Sequence, residues 1–210
     1  MFYRKYLTII TLFVLSIANL KADYVNIQQH YDFGEDRDYW TTTVEGLEFD
    51  PYGSTYAFID VDANATDLVY GEVSRYFNVP SWGDVQLTAQ YNGGRINNDW
   101  MPHVGLFGIS YKGLDLLYVV NEDTGSEFQL TYVWFKRWGN LEICGYVDVW
   151  TIDLDRVAVC TEPQIWYWLN DYVAIGGELE ISKNFVFETH GLSDSWEFNP
   201  TLAVKLTKSW

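Results

Sequence analysis

The chain has 210 residues, with 13 basic against 29 acidic side chains for a formal net charge of −16, and it carries 10 Trp, 16 Tyr and 12 Phe. That acidity excludes nucleic acid as a partner, because affinity for a phosphate backbone comes from Lys and Arg. The aromatic content excludes disorder, and rings with an apolar body and a wet tip suit a membrane–water boundary.

Arg4 and Lys5 precede an apolar run from Leu7 to Leu20, which closes on Leu20-Lys21-Ala22. This is the layout of a secretory signal cleaved near Ala22, so residues 1–22 read as signal and 23–210 as the mature domain. An uncleaved anchor is the alternative, but the run is shorter than the ~18–20 residues of a spanning helix. Cleavage removes three of the 13 basic residues, leaving 10 against 29 acidic and a net charge of −19 on 188 residues. Beyond residue 22 no apolar run is longer than Leu116-Leu117-Tyr118-Val119-Val120. A secreted chain of this kind is either a soluble β protein or an all-β antiparallel transmembrane β-barrel.

Period-two alternation predicts about twelve strands, at 25–33, 39–49, 54–62, 68–77, 85–92, 103–111, 114–121, 127–137, 141–152, 156–168, 172–182 and 197–210. The fifth sets Val85, Leu87, Ala89 and Tyr91 against Gln86, Thr88, Gln90 and Asn92. The ninth sets Leu141, Ile143, Gly145, Val147 and Val149 against Glu142, Cys144, Tyr146, Asp148 and Trp150. The eleventh sets Val173, Ile175, Gly177, Leu179 and Ile181 against Ala174, Gly176, Glu178, Glu180 and Ser182. The last alternates Phe198, Pro200, Leu202, Val204 and Leu206 with polar neighbours and stops on Trp210. A terminal strand closing on an aromatic resembles the sorting strand of bacterial outer-membrane barrels, which are apolar outside and polar inside.

Five tight turns separate these strands: Asp50-Pro51-Tyr52-Gly53, residues 78–84, Lys112-Gly113, Trp138-Gly139-Asn140 and Leu169-Asn170-Asp171. Between them fall connections at 34–38, 63–67, 93–102, 122–126, 153–155 and 183–196. The turns are expected to face the periplasm and the connections the outside.

Tyr39 to Asp62 (YWTTTVEGLEFDPYGSTYAFIDVD) followed by Tyr70 to Val79 (YGEVSRYFNV) resembles the Tsx family of nucleoside-specific outer-membrane channels. There a strand, a turn and an aromatic strand ending in Ile-Asp precede a glutamate-containing strand. The whole mature chain is similar to a Tsx-related family of outer-membrane proteins of uncharacterised function. It is carried by residues 28–34, Tyr91-Asn92-Gly93-Gly94, Thr161-Glu162-Pro163-Gln164 and residues 177–184. The resemblance implies twelve strands and passive diffusion of nucleosides. The substrate-binding positions of the channel family lie outside the matched segments, so none is transferred.

If the aliphatic face meets lipid, the opposite face names the lumen candidates. They are Tyr56, Phe58, Asp60 and Asp62, then Tyr70 and Glu72, then Glu142, Tyr146, Asp148 and Trp150, then Glu162, Gln164 and Trp166, and last Glu178 and Glu180. Rings can stack on a flat heterocycle while carboxylates accept hydrogen bonds from hydroxyls and amines. The bland reading is a barrel plugged by its own side chains, with the acids hydrated or paired to Arg75, Arg156 and Lys205. Asp60/Asp62 and Glu178/Glu180 lack the ordered spacing of a calcium loop, so no metal site is assigned. His30, His103 and His190 have no nucleophile motif beside them, and no cofactor or catalytic residue is proposed. Cys144 and Cys160 share a face of adjacent strands. The oxidising compartment allows a disulfide between them, while a turn centred near Leu154 offsets them by about four residues, beyond bonding reach, so the sequence leaves both states open.

The expectation is a monomeric barrel in the outer membrane of a Gram-negative bacterium, passing small neutral or cationic solutes, nucleosides foremost. Its partners are outer-membrane lipid, the solute, and the barrel-assembly machinery reached through the C-terminal strand. Two alternatives stand: an outer-membrane lipid-active hydrolase, and a closed structural or receptor barrel without transport.

Overall fold

The computed structural model describes residues 22–209 apart from 35–36, 64–67, 97–98, 122–124, 153–155 and 186–194. The signal segment, His190 and Trp210 lie outside the described residues. Twelve strands follow in chain order: β1 Tyr24–Asp32, β2 Tyr39–Asp50, β3 Gly53–Ala63, β4 Val69–Asn78, β5 Val85–Ile96, β6 Val104–Tyr111, β7 Leu114–Asn121, β8 Gly125–Trp138, β9 Leu141–Ile152, β10 in two pieces (Arg156–Thr161 and Gln164–Trp168), β11 Val173–Lys183 and β12 Trp196–Ser209. Each pairs antiparallel with its sequence neighbours, and β12 returns to β1 from Tyr24↔Ser209 to Asp32↔Thr201. The sheet is therefore a closed antiparallel twelve-stranded β-barrel, in which every strand edge is used.

Turn chemistry sets the registers at one end of the barrel. Lys112 and Gly113 both adopt positive φ, 52° and 85°, the two-residue hairpin geometry that matches strand twist. Asp50 accepts from the Tyr52 N–H at 2.7 Å, and Asn170 Oδ1 accepts from the amides of Tyr172 and Val173 at 2.8 and 3.0 Å. Pro80–Trp82 makes a 3₁₀ turn between β4 and β5.

The structure departs from the sequence reading in two strands. β5 runs on to Ile96, through the Gly93-Gly94 pair assigned above to a loop, and Asp99–Trp100 fold back on Arg95 and Ile96. β10 is interrupted at Glu162 and Pro163, where Pro163 has no amide to donate. Gly145 lies across that break with φ 149°, and a Cβ there would meet the Glu162 carbonyl.

The alternation resolves as expected, apolar side chains outward. Phe107, Leu116, Phe128, Ile165 and Leu202 are all more than half exposed on the outer wall. Asn26, Gln28, His30, Glu142 and Lys205 are buried inside. This inversion of a soluble core is what a lipid-facing barrel requires. Two stretches depart from it: inward Leu106, Leu117 and Val119 of β6–β7 form an apolar patch on the lumen wall, and Trp166, Trp168, Ala174 and Ala203 form another across β10–β12. Alternation is weakest in β6–β7 because both faces are apolar.

Candidate functional site

Cross-strand registers carry one inward row from strand to strand. Gln28 stands opposite Thr43, Thr43 opposite Asp60 and Asp60 opposite Tyr70. On the far wall Asp148 stands opposite Cys160, and Gln164 opposite Glu178. Tyr56, Phe58, Asp60, Asp62, Tyr70, Glu72, Tyr146, Asp148, Trp150, Glu162, Trp166, Glu178 and Glu180 all fall on inward positions. Glu142 and Gln164 share that face.

Asp60 on β3 lies four strands round the ring from Glu178 on β11, with Glu162 at the break in β10, and the three interact electrostatically across the lumen. Glu72 on β4 does the same with Asp148 on β9. Hydroxyls hold these carboxylates in place: Thr43 donates to Asp60, Thr41 to Asp62 at 2.6 Å, Ser74 to Glu72 at 3.0 Å and Thr131 to Asp148. Beside them Tyr56, Phe58 and Tyr70 form a ring track, with centroids 6.1 and 5.8 Å apart. Trp150 stands apart from that track and meets Phe185 edge-on.

Two cations flank this acidic stretch. Toward the loop end Arg37 forks onto Glu180 at 3.0 and 3.1 Å and reaches Asp32 at 3.1 Å, while Asn199 and Ser182 also donate to Glu180. Sequence reasoning missed Arg37 because it lies in a connection. Its signal was the Asp32 just before it and the acidic polar face of β11. Toward the turn end Lys205 lies 3.3 Å from Glu142 and 4.1 Å from the Trp166 ring centroid. Trp168 Nε1 donates to Glu142 at 2.8 Å and Trp166 Nε1 to Gln164 at 2.9 Å. His30 is held by Thr201 and Gln28, each at 2.9 Å, with Glu178 at 3.4 Å.

Of the cations expected to neutralise the acids, Lys205 does so. Arg75 does not: it points outward near the turn end, to Asp50 at 2.8 Å, and holds that carboxyl below the usual range. Arg156 is exposed at the end of β10. His103 is also outside, stacked with Tyr91 and hydrogen-bonded to its hydroxyl. Cys144 faces Gln164 and Cys160 faces Asp148, so the four-residue offset is real and both thiols are free. Among the described residues no group of three or more His, Cys, Asp or Glu could hold a metal ion.

The chain matches the family described as a domain of unknown function (DUF5020) over residues 24–208. The Acinetobacter baumannii outer membrane protein Omp33 superposes with a TM-score of 0.53 at 10% identity, over 90% of this chain and 98% of that one. A membrane protein crystallised in meso superposes with a TM-score of 0.50 at 7% identity, over 89% and 84%. The KdgM porin in complex with disordered oligogalacturonate gives 0.49 at 6% identity, over 87% and 98%. The likeness to Omp33 shows that the fold is one outer-membrane barrels use. No curated protein matches the sequence.

Proposed function

The chain belongs to the DUF5020 family, and we propose that it is a bacterial outer-membrane channel passing small neutral or cationic solutes by passive diffusion. The observation that carries this reading is the set of carboxylates facing one another across the lumen, Asp60 with Glu162 and Glu178, and Glu72 with Asp148. Carboxyl groups so placed disfavour anions; ionised they suit cations, and protonated they still offer hydrogen-bonding groups to neutral molecules. Arg37 and Lys205 do not offset it, since each is engaged with an acid on its own side.

Nucleosides are the favoured cargo. The Tyr56–Phe58–Tyr70 track offers faces for a heterocycle, and the adjacent carboxylates accept from sugar hydroxyls and base amines. The similarity of residues 39–62 and 70–79 to the Tsx family supports the same choice. The flux is passive and no catalytic residue is assigned. Among the described residues His30 is the one histidine inside the barrel, and both its ring nitrogens are held by Thr201 and Gln28.

The second reading, a closed barrel, is favoured by a different observation. Gln28, His30, Glu142, Trp166 and Lys205 on one wall, and Leu106 and Leu117 on another, are at most 3% exposed. Liposome swelling in adenosine separates the two. Proteoliposomes are expected to swell faster in adenosine than protein-free ones; equal rates would sink the channel and leave the closed barrel.

A further inference from the structure

The outer wall is not smooth. Between β10, β11 and β12 it holds a groove of about 690 Å³, rimmed by Ile165, Tyr167, Ile175, Leu179 and Leu202. The groove exists because the ladder skips a step. β11 pairs with β12 from Val173 to Gly176 and again from Leu179 onward, leaving out Gly177 and Glu178. Gly177 brings no side chain to fill the gap, and a Cβ there would run into the Thr201 carbonyl. The break in β10 at Pro163 lies alongside, its carbonyl taking the Leu179 amide at 3.0 Å.

Thr201 Oγ1 accepts the Glu178 amide at 3.1 Å and meets His30 at 2.9 Å. The rim is continuous with the apolar outer belt, with Ile165, Tyr167 and Leu202 each more than half exposed. Gly177 is the fifth residue of β11, which for a tilted strand puts it about 10 Å from the turn end, within an apolar band ~25 Å tall. At that depth the neighbours are hydrocarbon tails.

We infer that this groove is a binding site for one acyl chain of an outer-membrane lipid. Because the competing surroundings are also hydrocarbon, retention rests on the van der Waals contact that a shallow notch ringed by Ile165, Ile175, Leu179 and Leu202 adds to that of a flat belt. The site is independent of whether the lumen conducts.

The test is photolabelling of the purified barrel in vesicles of phosphatidylethanolamine carrying a diazirine on one acyl chain, mapped by mass spectrometry. Labelling is expected to concentrate on Ile165, Ile175 and Leu202, several-fold above Phe107 on the far wall. Ile165→Trp and Leu202→Trp fill the groove from exposed positions and are expected to remove that excess. Uniform labelling around the wild-type belt would overturn the assignment whether or not the variants fold. So would unchanged labelling in folded variants, or a wild-type dimer that either substitution dissolves, which would give the groove to a second copy.

Discussion

Replacing Lys205 by Met tests the interior most sharply. The substitution keeps a long flexible stem and removes the ammonium group 3.3 Å from Glu142, where both side chains are 3–4% exposed. Glu142 then retains the Trp168 N–H at 2.8 Å, and its other oxygen keeps only the weak Cys144 thiol donor at 3.8 Å. Removing one partner of a buried pair costs about 3–5 kcal/mol, and loss of the contact with the Trp166 face is contained in that figure. Glu142→Gln keeps an acceptor for Trp168 but strands Lys205, so it should cost about 3 kcal/mol. The double variant leaves no unpaired charge, and the two losses should fall short of additivity by about 2–3 kcal/mol. Urea unfolding in lipid vesicles, followed by tryptophan fluorescence, measures all four proteins. Single variants within ~0.5 kcal/mol of wild type, or strictly additive losses, would show that the pair is solvated.

Gln164→Cys should form a disulfide with Cys144, its cross-strand partner, under mild oxidation; a wild-type bond between Cys144 and Cys160, seen by non-reducing peptide mapping, would disprove the β9–β10 register. Asp60→Asn combined with Asp148→Asn should lower the cation-to-anion permeability ratio several-fold in planar-bilayer reversal potentials, and an unchanged ratio would remove these acids from the conduction path. Arg37→Ala releases the β1–β2 connection from Glu180 and Asp32, so single-channel conductance in KCl should rise; a fall would mean that the latch holds the mouth open. Phe107→Arg puts a charge on the outer belt and should cost about 2–4 kcal/mol if that position is near the bilayer midplane, whereas a neutral result in vesicle unfolding would place it outside the hydrocarbon.

The wall was legible because its physics is local. Alternation in β9, β11 and β12 depends only on whether successive residues meet lipid or water, and turns such as Lys112-Gly113 announce themselves by residue type. The inward positions of the lumen candidates follow from that parity. Arg37 was not legible, because a side chain leaving a connection to bind Glu180 depends on three-dimensional return rather than period. The Gly177 notch was hidden for a related reason. Gly177 continues the eleventh alternation perfectly well, and only its missing pairing across to β12 shows that the ladder skips there. The inward patch of Leu106, Leu117 and Val119 was obscured because an apolar run gives no parity to read.

The seam between β1 and β12 has a consequence for how the barrel comes to exist. Tyr24 finds its partner in Ser209, nearly the full length of the chain away, so no early segment can close its own edge. Loop-closure entropy makes such a contact slow, and every intermediate before it carries two unpaired strand edges and an apolar outer wall. The first strand cannot close the barrel until β12 is made, and until then both strand edges and the apolar outer wall stay open to mispairing.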